Sequence, residues 1–253
     1  MDLGTFFLDE GIDVWSEVGI DVLSEADREA VVRFFPAARS VVIFGREVPV
    51  LVYRMQPGEK TREMLRIAEE LDDTAVRLAG LLQSEQIPAR SVPLYLPVRI
   101  ADGRVQGPVP LKRVAEAGGL GSAGTNTVLL TPRFGPRLLL SGVVTGRQVT
   151  DSQPHEKVGE GAPWACTRCG SCIRACPTGA LGPEGVDAFR CRDMSAWVPP
   201  ILIPLVIRLL KWQGLQKCIA PLAPWIAKRA TIRCSLCVTE CPKFAGSEKK
   251  AEP

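Results

Sequence analysis

The residues with the most chemistry to offer are cysteines, and their placement is uneven. The chain has nine in 253 residues, and all of them lie between Cys166 and Cys241. Cys166, Cys169 and Cys172 follow one another at two-residue gaps, and Cys176-Pro177 comes after a three-residue gap. Gaps of two let a tight turn aim three thiolates at one cubane, while the fourth thiolate, a helical turn further on, points to another. A second run, Cys234, Cys237 and Cys241-Pro242, repeats this pattern without its first cysteine. Interleaving the two runs gives cluster I from Cys166, Cys169, Cys172 and Cys241. Cluster II takes Cys176, Cys234, Cys237 and a fourth thiolate from either Cys191 or Cys218. The count predicts two [4Fe–4S] clusters and one spare cysteine. A zinc ribbon would need two separated pairs, and three cysteines at successive two-residue gaps do not suit one tetrahedral ion.

Disulfides are not expected. The segment from Met1 to Glu10 lacks the basic and apolar stretches of a secretory leader, so a cytoplasmic setting with reduced thiols is the expectation. The apolar run from Trp197 to Leu210 is interrupted by Pro199, Pro200, Pro204 and Arg208 and is shorter than the ~20 residues that span a bilayer. A net charge of +3 is too weak to predict nucleic acid or an anionic membrane as a partner. His155 is the only histidine, which excludes a Ser-His-Asp triad and a histidine zinc site. It reads as a surface residue.

The cysteine-free residues must supply whatever the clusters would serve. Ser24 caps a predicted helix to about Phe35, and Ser40–Gly45 and Pro49–Arg54 read as strands. Apolar residues from Met64 to Leu82 recur at helical spacing and predict a helix over 60–86. An extended piece at Ser91–Pro97, a helix at Leu111–Ala117 and strands at Thr127–Thr131 and Leu138–Thr145 follow. Strands and helices without strict alternation indicate an α+β fold. The expected organisation is a substrate or cofactor domain over 1–150 and a double-cluster module over 151–246. The module carries an apolar insertion at 197–230, and a disordered tail over 247–253 follows it.

Gly119-Leu-Gly121-Ser-Ala-Gly124 matches the dinucleotide fingerprint letter for letter, but a helix precedes it and a strand follows. A dinucleotide site requires the opposite order, so that reading fails. A helix cap and turn explains one or two glycines; four within seven residues suggest that a ligand approaches the backbone closely. Asp102, Arg113 and Glu116 lie near this turn and read first as solvated charges.

Four blocks carry a resemblance: Pro36–Gly45, Ala117–Pro136, Leu140–Thr145 and the cysteine runs. In order and spacing they resemble the epoxyqueuosine reductase and reductive dehalogenase superfamily. That resemblance implies a nitroreductase-like N-terminal domain joined to a bacterial ferredoxin-like module with two clusters. It implies Cys191, in Phe189-Arg190-Cys191, as the fourth ligand of cluster II, leaving Cys218 spare and read as a buried hydrophobe. It implies a cobalamin or other corrinoid lying against Gly119, Gly121, Gly124, Asn126, Thr127 and Gly135. Departures are equally legible. The family's catalytic carboxylate is missing from Gln106–Arg113, and Thr125 stands where a lysine is usual. The implied function is a reductase passing electrons through the clusters to a corrinoid or small substrate. The competing reading is a ferredoxin-like electron carrier or reductive activator for a partner protein, without catalysis of its own. Either implies a redox partner. For the insertion, packing over the clusters is favoured over peripheral membrane contact.

Overall fold

The structure is a computed structural model, and it describes residues 2–101, 104–149, 162–183, 185–192, 205, 208, 212–229 and 231–246. Asp102, His155 and the 247–253 tail lie outside these, as do residues 150–161 and, apart from 205 and 208, residues 193–211.

The chain opens with helix α1 (Leu3–Asp9), capped by the Asp2 carboxylate, which accepts from the Gly4 and Thr5 amides. Strand β1 (Val14–Gly19) leads to α2 (Glu25–Phe34), whose Ser24 cap accepts from the Asp27 amide as the sequence indicates. Strand β2 (Ser40–Glu47) is followed by α3 (Val50–Arg54) and the long helix α4 (Pro57–Ser84). The α3 segment corrects the strand expected at 49–54. Pro49 starts a short helix there, and a brief apolar run does not by itself distinguish the two states.

Next come β3 (Ala89–Ser91), the hairpin β4 (Arg99–Ala101) and β5 (Arg104–Gln106), and helix α5 (Leu111–Ala117). A two-residue hairpin, β6 (Ser122–Ala123) with β7 (Leu129–Leu130), replaces the strand expected over 127–131. Thr127 cannot extend it because its φ is +63°. Strand β8 (Leu138–Thr145) matches its expected limits.

Four strands form one sheet in the order β1-β2-β8-β3, with all neighbours antiparallel. Alternation along β2 explains the layers. Val42 and Phe44 face a core completed by Phe7, Ile67, Leu71, Ala75, Leu78 and Leu82 of α1 and α4. Val41 and Ile43 face the other core, with Val31, Val114, Ala115, Leu129 and Phe134. The sheet is thus buried on both faces, and the second core fixes α5 and the glycine turn. Strands and helices of this kind make the fold α+β.

The C-terminal module is built from short pieces: α6 (Ser171–Arg174), hairpin β9 (Leu181–Gly182) and β10 (Gly185–Val186), α7 (Gln213–Ile219), α8 (Ala223–Arg229) and α9 (Leu236–Thr239). Arg137, 2% exposed, docks this module onto the sheet. Its guanidinium pairs with Glu47 and donates to the Phe244 carbonyl at 2.7 Å and the Ala245 carbonyl at 3.4 Å. The backbones also meet directly. A side chain on Gly135 would reach within 2.0 Å of the Lys243 carbonyl, and one on Gly246 within 2.1 Å of the Arg133 carbonyl. Both glycines have positive φ, +55° and +68°, which L side chains rarely adopt.

Candidate metal centre

All nine cysteines are free thiols. Cys172 rides on α6, which starts at Gly170 with φ +73°, and Cys237 rides on α9. The docked Lys243–Gly246 turn holds Cys241 against the first run. Cys166, Cys169, Cys172 and Cys241 together line one cavity, with Thr125, Asn126 and Lys243 at its wall. As a free thiol Cys241 is raised by burial and then by the nearby charges of Cys166, Cys172 and Cys169.

The second set is traced through Cys237. Burial pushes the Cys237 thiol up to about 11, helped by Cys234, Cys191 and Cys176 and by Cys172. Cys191 is held by its amide, which donates to the Asp187 carbonyl at 3.1 Å. The Asp187 carboxylate accepts from the amides of Phe189 and Arg190, fixing the intervening turn. So Cys191, Cys176 and Cys234 lie within electrostatic reach of Cys237, as does Cys172 of the first set, whereas Cys218 is exposed on α7. That exposure corrects the reading of Cys218 as a buried hydrophobe. The buried position of α7 is Gln216, which exchanges two hydrogen bonds with the Val98 backbone.

Among the described residues, no group of three or more His, Cys, Asp or Glu side chains is arranged to hold a single metal ion. Four thiols sharing one cavity are a donor set suited to a larger sulfur-ligated group. The fit to a cluster also includes local donors. The Thr125 amide donates to Cys166 Sγ at 3.5 Å, and the Thr125 hydroxyl lies at the same distance. Burial raises the Cys166 thiol, but these bonds outweigh it and leave its pKa below the usual 9.0. Hydrogen bonding with Ser171 lowers Cys169 as well. Thiolate forms are the ligands, so these shifts favour metal capture.

The glycine turn meets the thiols but has internal reasons for its glycines. Gly119, φ +73°, follows the end of α5. A side chain on Gly121 would come within 2.2 Å of the Leu130 carbonyl, and one on Gly124 within 2.3 Å of Leu130. The chain's own hairpin therefore fills the space these glycines leave. They give no independent sign of a corrinoid cradle. Asn126 is buried and donates to the Cys237 carbonyl at 3.0 Å, while Thr127 turns the chain and its carbonyl accepts from Lys112 Nζ. Gly135 is occupied by the docked module, as described above. Glu116 accepts from the Ala123 amide at 2.9 Å, and Arg113 is paired with the buried Asp27. Both brace the turn.

Comparison with known proteins adds a name to this arrangement. A model described as "4Fe-4S binding domain" matches residues 165–182. Epoxyqueuosine reductase of Gloeobacter violaceus is 40% identical over 86 residues, 34% of this chain and 25% of that protein. The solved Bacillus subtilis epoxyqueuosine reductase superposes with a TM-score of 0.58 at 19% identity, covering 99% of this chain and 67% of that one. The chain resembles epoxyqueuosine reductases. It has their fold and an iron–sulfur module, but it spans about two thirds of the solved relative's length. A further epoxyqueuosine reductase, solved with a modified tRNA stem loop, superposes at a TM-score of 0.52 and 21% identity, covering 76% of this chain and 55% of its own.

Sequence reasoning missed three residues of this centre. Lys112 reaches the turn from the first turn of α5, and its Nζ donates to the Thr127 carbonyl. Burial holds its ammonium below the usual 10.5, although the side chain still reaches solvent. Lys60, 4% exposed, donates to Ser235 between two of the cysteines at 3.2 Å, and Arg137 docks the module. Neither gives a local sequence signal, because their partners Ser235, Glu47 and Phe244 lie 90 or more residues away in the chain.

Proposed function

We propose that this chain is an iron–sulfur reductase. In this reading Cys166, Cys169, Cys172 and Cys241 hold one [4Fe–4S] cluster, and Cys176, Cys191, Cys234 and Cys237 hold a second. Such clusters supply one-electron transfer. The observation that carries the reading is Thr125: the same turn that closes the N-terminal domain puts its amide and hydroxyl on a cysteine of the first run. Substrate reduced at that turn would lie beside the thiol wall. Asn126 keeps the turn against the second run, and Lys112, whose Nζ donates to the Thr127 carbonyl, is the ammonium placed on this turn to supply a proton. A one-electron donor protein is required by the same chemistry.

The acceptor is a small molecule or a corrinoid, and hydroxocobalamin distinguishes them. The protein is reconstituted anaerobically, its iron counted, and its visible spectrum followed during titration with hydroxocobalamin. About eight irons are expected, falling to about four in Cys191→Ala. Fewer than about six in the wild type, or no change in Cys191→Ala, overturns the ligand set. An unchanged cobalamin spectrum removes the corrinoid.

A specific observation favours a second substrate class. The +3 charge argued against nucleic acid, yet a relative has been solved with a tRNA stem loop. If the substrate is carried by RNA, a tRNA anticodon stem loop will retard the reconstituted protein in gel filtration, and Lys112→Gln will abolish turnover while leaving that binding intact.

A further inference from the structure

The insertion places an amphipathic stripe on the outside of the molecule instead of the inside. Leu222, Trp225, Ile226 and Arg229 recur at the spacing of one helix face. Leu222 is 56% exposed, Trp225 59% and Ile226 46%, and Trp212 before α7 is 67% exposed. The Arg229 guanidinium lies 3.5 Å above the Trp225 ring. The opposite side of the same segment is anchored: Lys228 pairs with Glu69 of α4 at 3.3 Å, and Gln216 is tied to Val98. A helix normally turns such a stripe to the core. Helix α8 buries none of its residues, and the stripe faces water, which marks an interaction surface.

The charge pattern says what covers it. From Met194 to Thr239 there is no Asp or Glu, while Arg208, Lys211, Lys217, Lys228, Arg229 and Arg233 all fall within that stretch. Without these six cations the chain's formal charge of +3 would be −3. Three of the five tryptophans, Trp197, Trp212 and Trp225, lie in the same stretch. Basic residues flanking exposed tryptophan and aliphatic side chains match the boundary between anionic headgroups and acyl chains. No helix among the described residues is long and apolar enough to cross a membrane. We propose that the α7–α8 face is a docking surface for an anionic lipid bilayer, on which the protein lies without spanning it. An RNA would satisfy the cations but not the apolar stripe; a folded partner protein would need acidic groups around an apolar patch, and it is the occupant that the vesicle test separates from a bilayer. This proposal does not depend on the reductase reading.

The test is anaerobic flotation of the reconstituted full chain with vesicles of phosphatidylcholine alone or with about a third phosphatidylglycerol, at low and high salt. Most of the protein is expected to float with the anionic vesicles and little with the neutral ones, with partial release by salt. Leu222→Ser/Trp225→Ser/Ile226→Ser should lower the bound fraction about tenfold with iron content unchanged. Arg229→Glu should erase the preference for anionic lipid. As a second readout, vesicles should shift tryptophan emission to the blue, and Trp225→Phe should remove most of that shift. The proposal fails if wild type stays with the soluble fraction, or if the triple variant floats as well as wild type. It also fails if the variants lose binding to a tRNA stem loop but keep vesicle binding.

Discussion

The sheet and the cysteine module are held together by different physics. In the sheet, β2 is buried on both faces, and each face has its own apolar core. In the module the helices delimited among the described residues are one or two turns long, and of its cysteines only Cys172 is buried. Helices of four residues do not persist by themselves, since nucleation is unfavourable at that length. What holds the module is its attachment to the sheet through Arg137, to which coordination by the proposed ligand set would add. The difference teaches that the N-terminal domain is a scaffold and the C-terminal module is a passenger that depends on its dock.

Removing the metal should break this comparison most visibly. Anaerobic chelation is expected to release amide protection across 165–246 while β2 and β8 remain protected in hydrogen-exchange mass spectrometry. Equal loss in both regions would make them one cooperative unit. Next in size is the dock. Arg137→Met leaves Glu47 without its partner and frees the Phe244 carbonyl, and should cost about 3 kcal/mol in denaturant unfolding of the holoprotein. Cluster loss on dilution should accompany it.

Smaller effects sharpen the contrast between the two thiol sets. Thr125 donates to the Cys166 sulfur, and the buried Lys60 stands beside the second run. Hydrogen bonds and positive charge both favour the reduced cluster. Thr125→Val and Lys60→Met should therefore lower midpoint potentials on the order of tens of millivolts in a titration followed by electron paramagnetic resonance. Each variant should move a different cluster; a shared shift would show the two sets to be electrostatically one.

The smallest effect belongs to the sheet side. Hydrogen bonding from Arg77 lowers the pKa of Glu10 below its usual 4.5, against burial. A lowered carboxylate pKa stabilises the fold above the usual value, and that contribution is lost as pH falls through the lowered one. Glu10→Gln should remove about 0.5 kcal/mol at neutral pH and flatten the acid limb of a thermal melt below about pH 4.5. The N-terminal domain is the part that should respond.

Much of this was legible because it is local. Helix α5 and strand β8 follow from hydrophobic period and came out at their expected limits. The Ser24 cap was visible because a cap needs only a residue and its neighbours three positions on. The edge elements were less legible: α3 was expected as a strand, β1 gave no clear signal, and the Thr127–Thr131 strand shrank to Leu129–Leu130 because Thr127 sits at positive φ. Each of these is decided by what packs on it. The glycines are the sharpest case. Their abundance read as a ligand's approach, yet at Gly121, Gly124 and Gly135 the approaching atoms belong to the chain itself.

By itself the sequence determined the cysteine spacing within each run, because that geometry is set within a few residues; it left Cys191 and Cys218 both open, and only the fold brings Cys241 to the first run. It also carried the basic, acid-free stretch around 194–239. Only the tertiary structure decided that Thr125 and Asn126 reach the two cysteine runs, that Lys60 and Arg137 are buried at the dock, and that Leu222, Trp225 and Ile226 face outward. Those outcomes depend on residues that are far apart in the chain and become neighbours only when the module closes on the sheet.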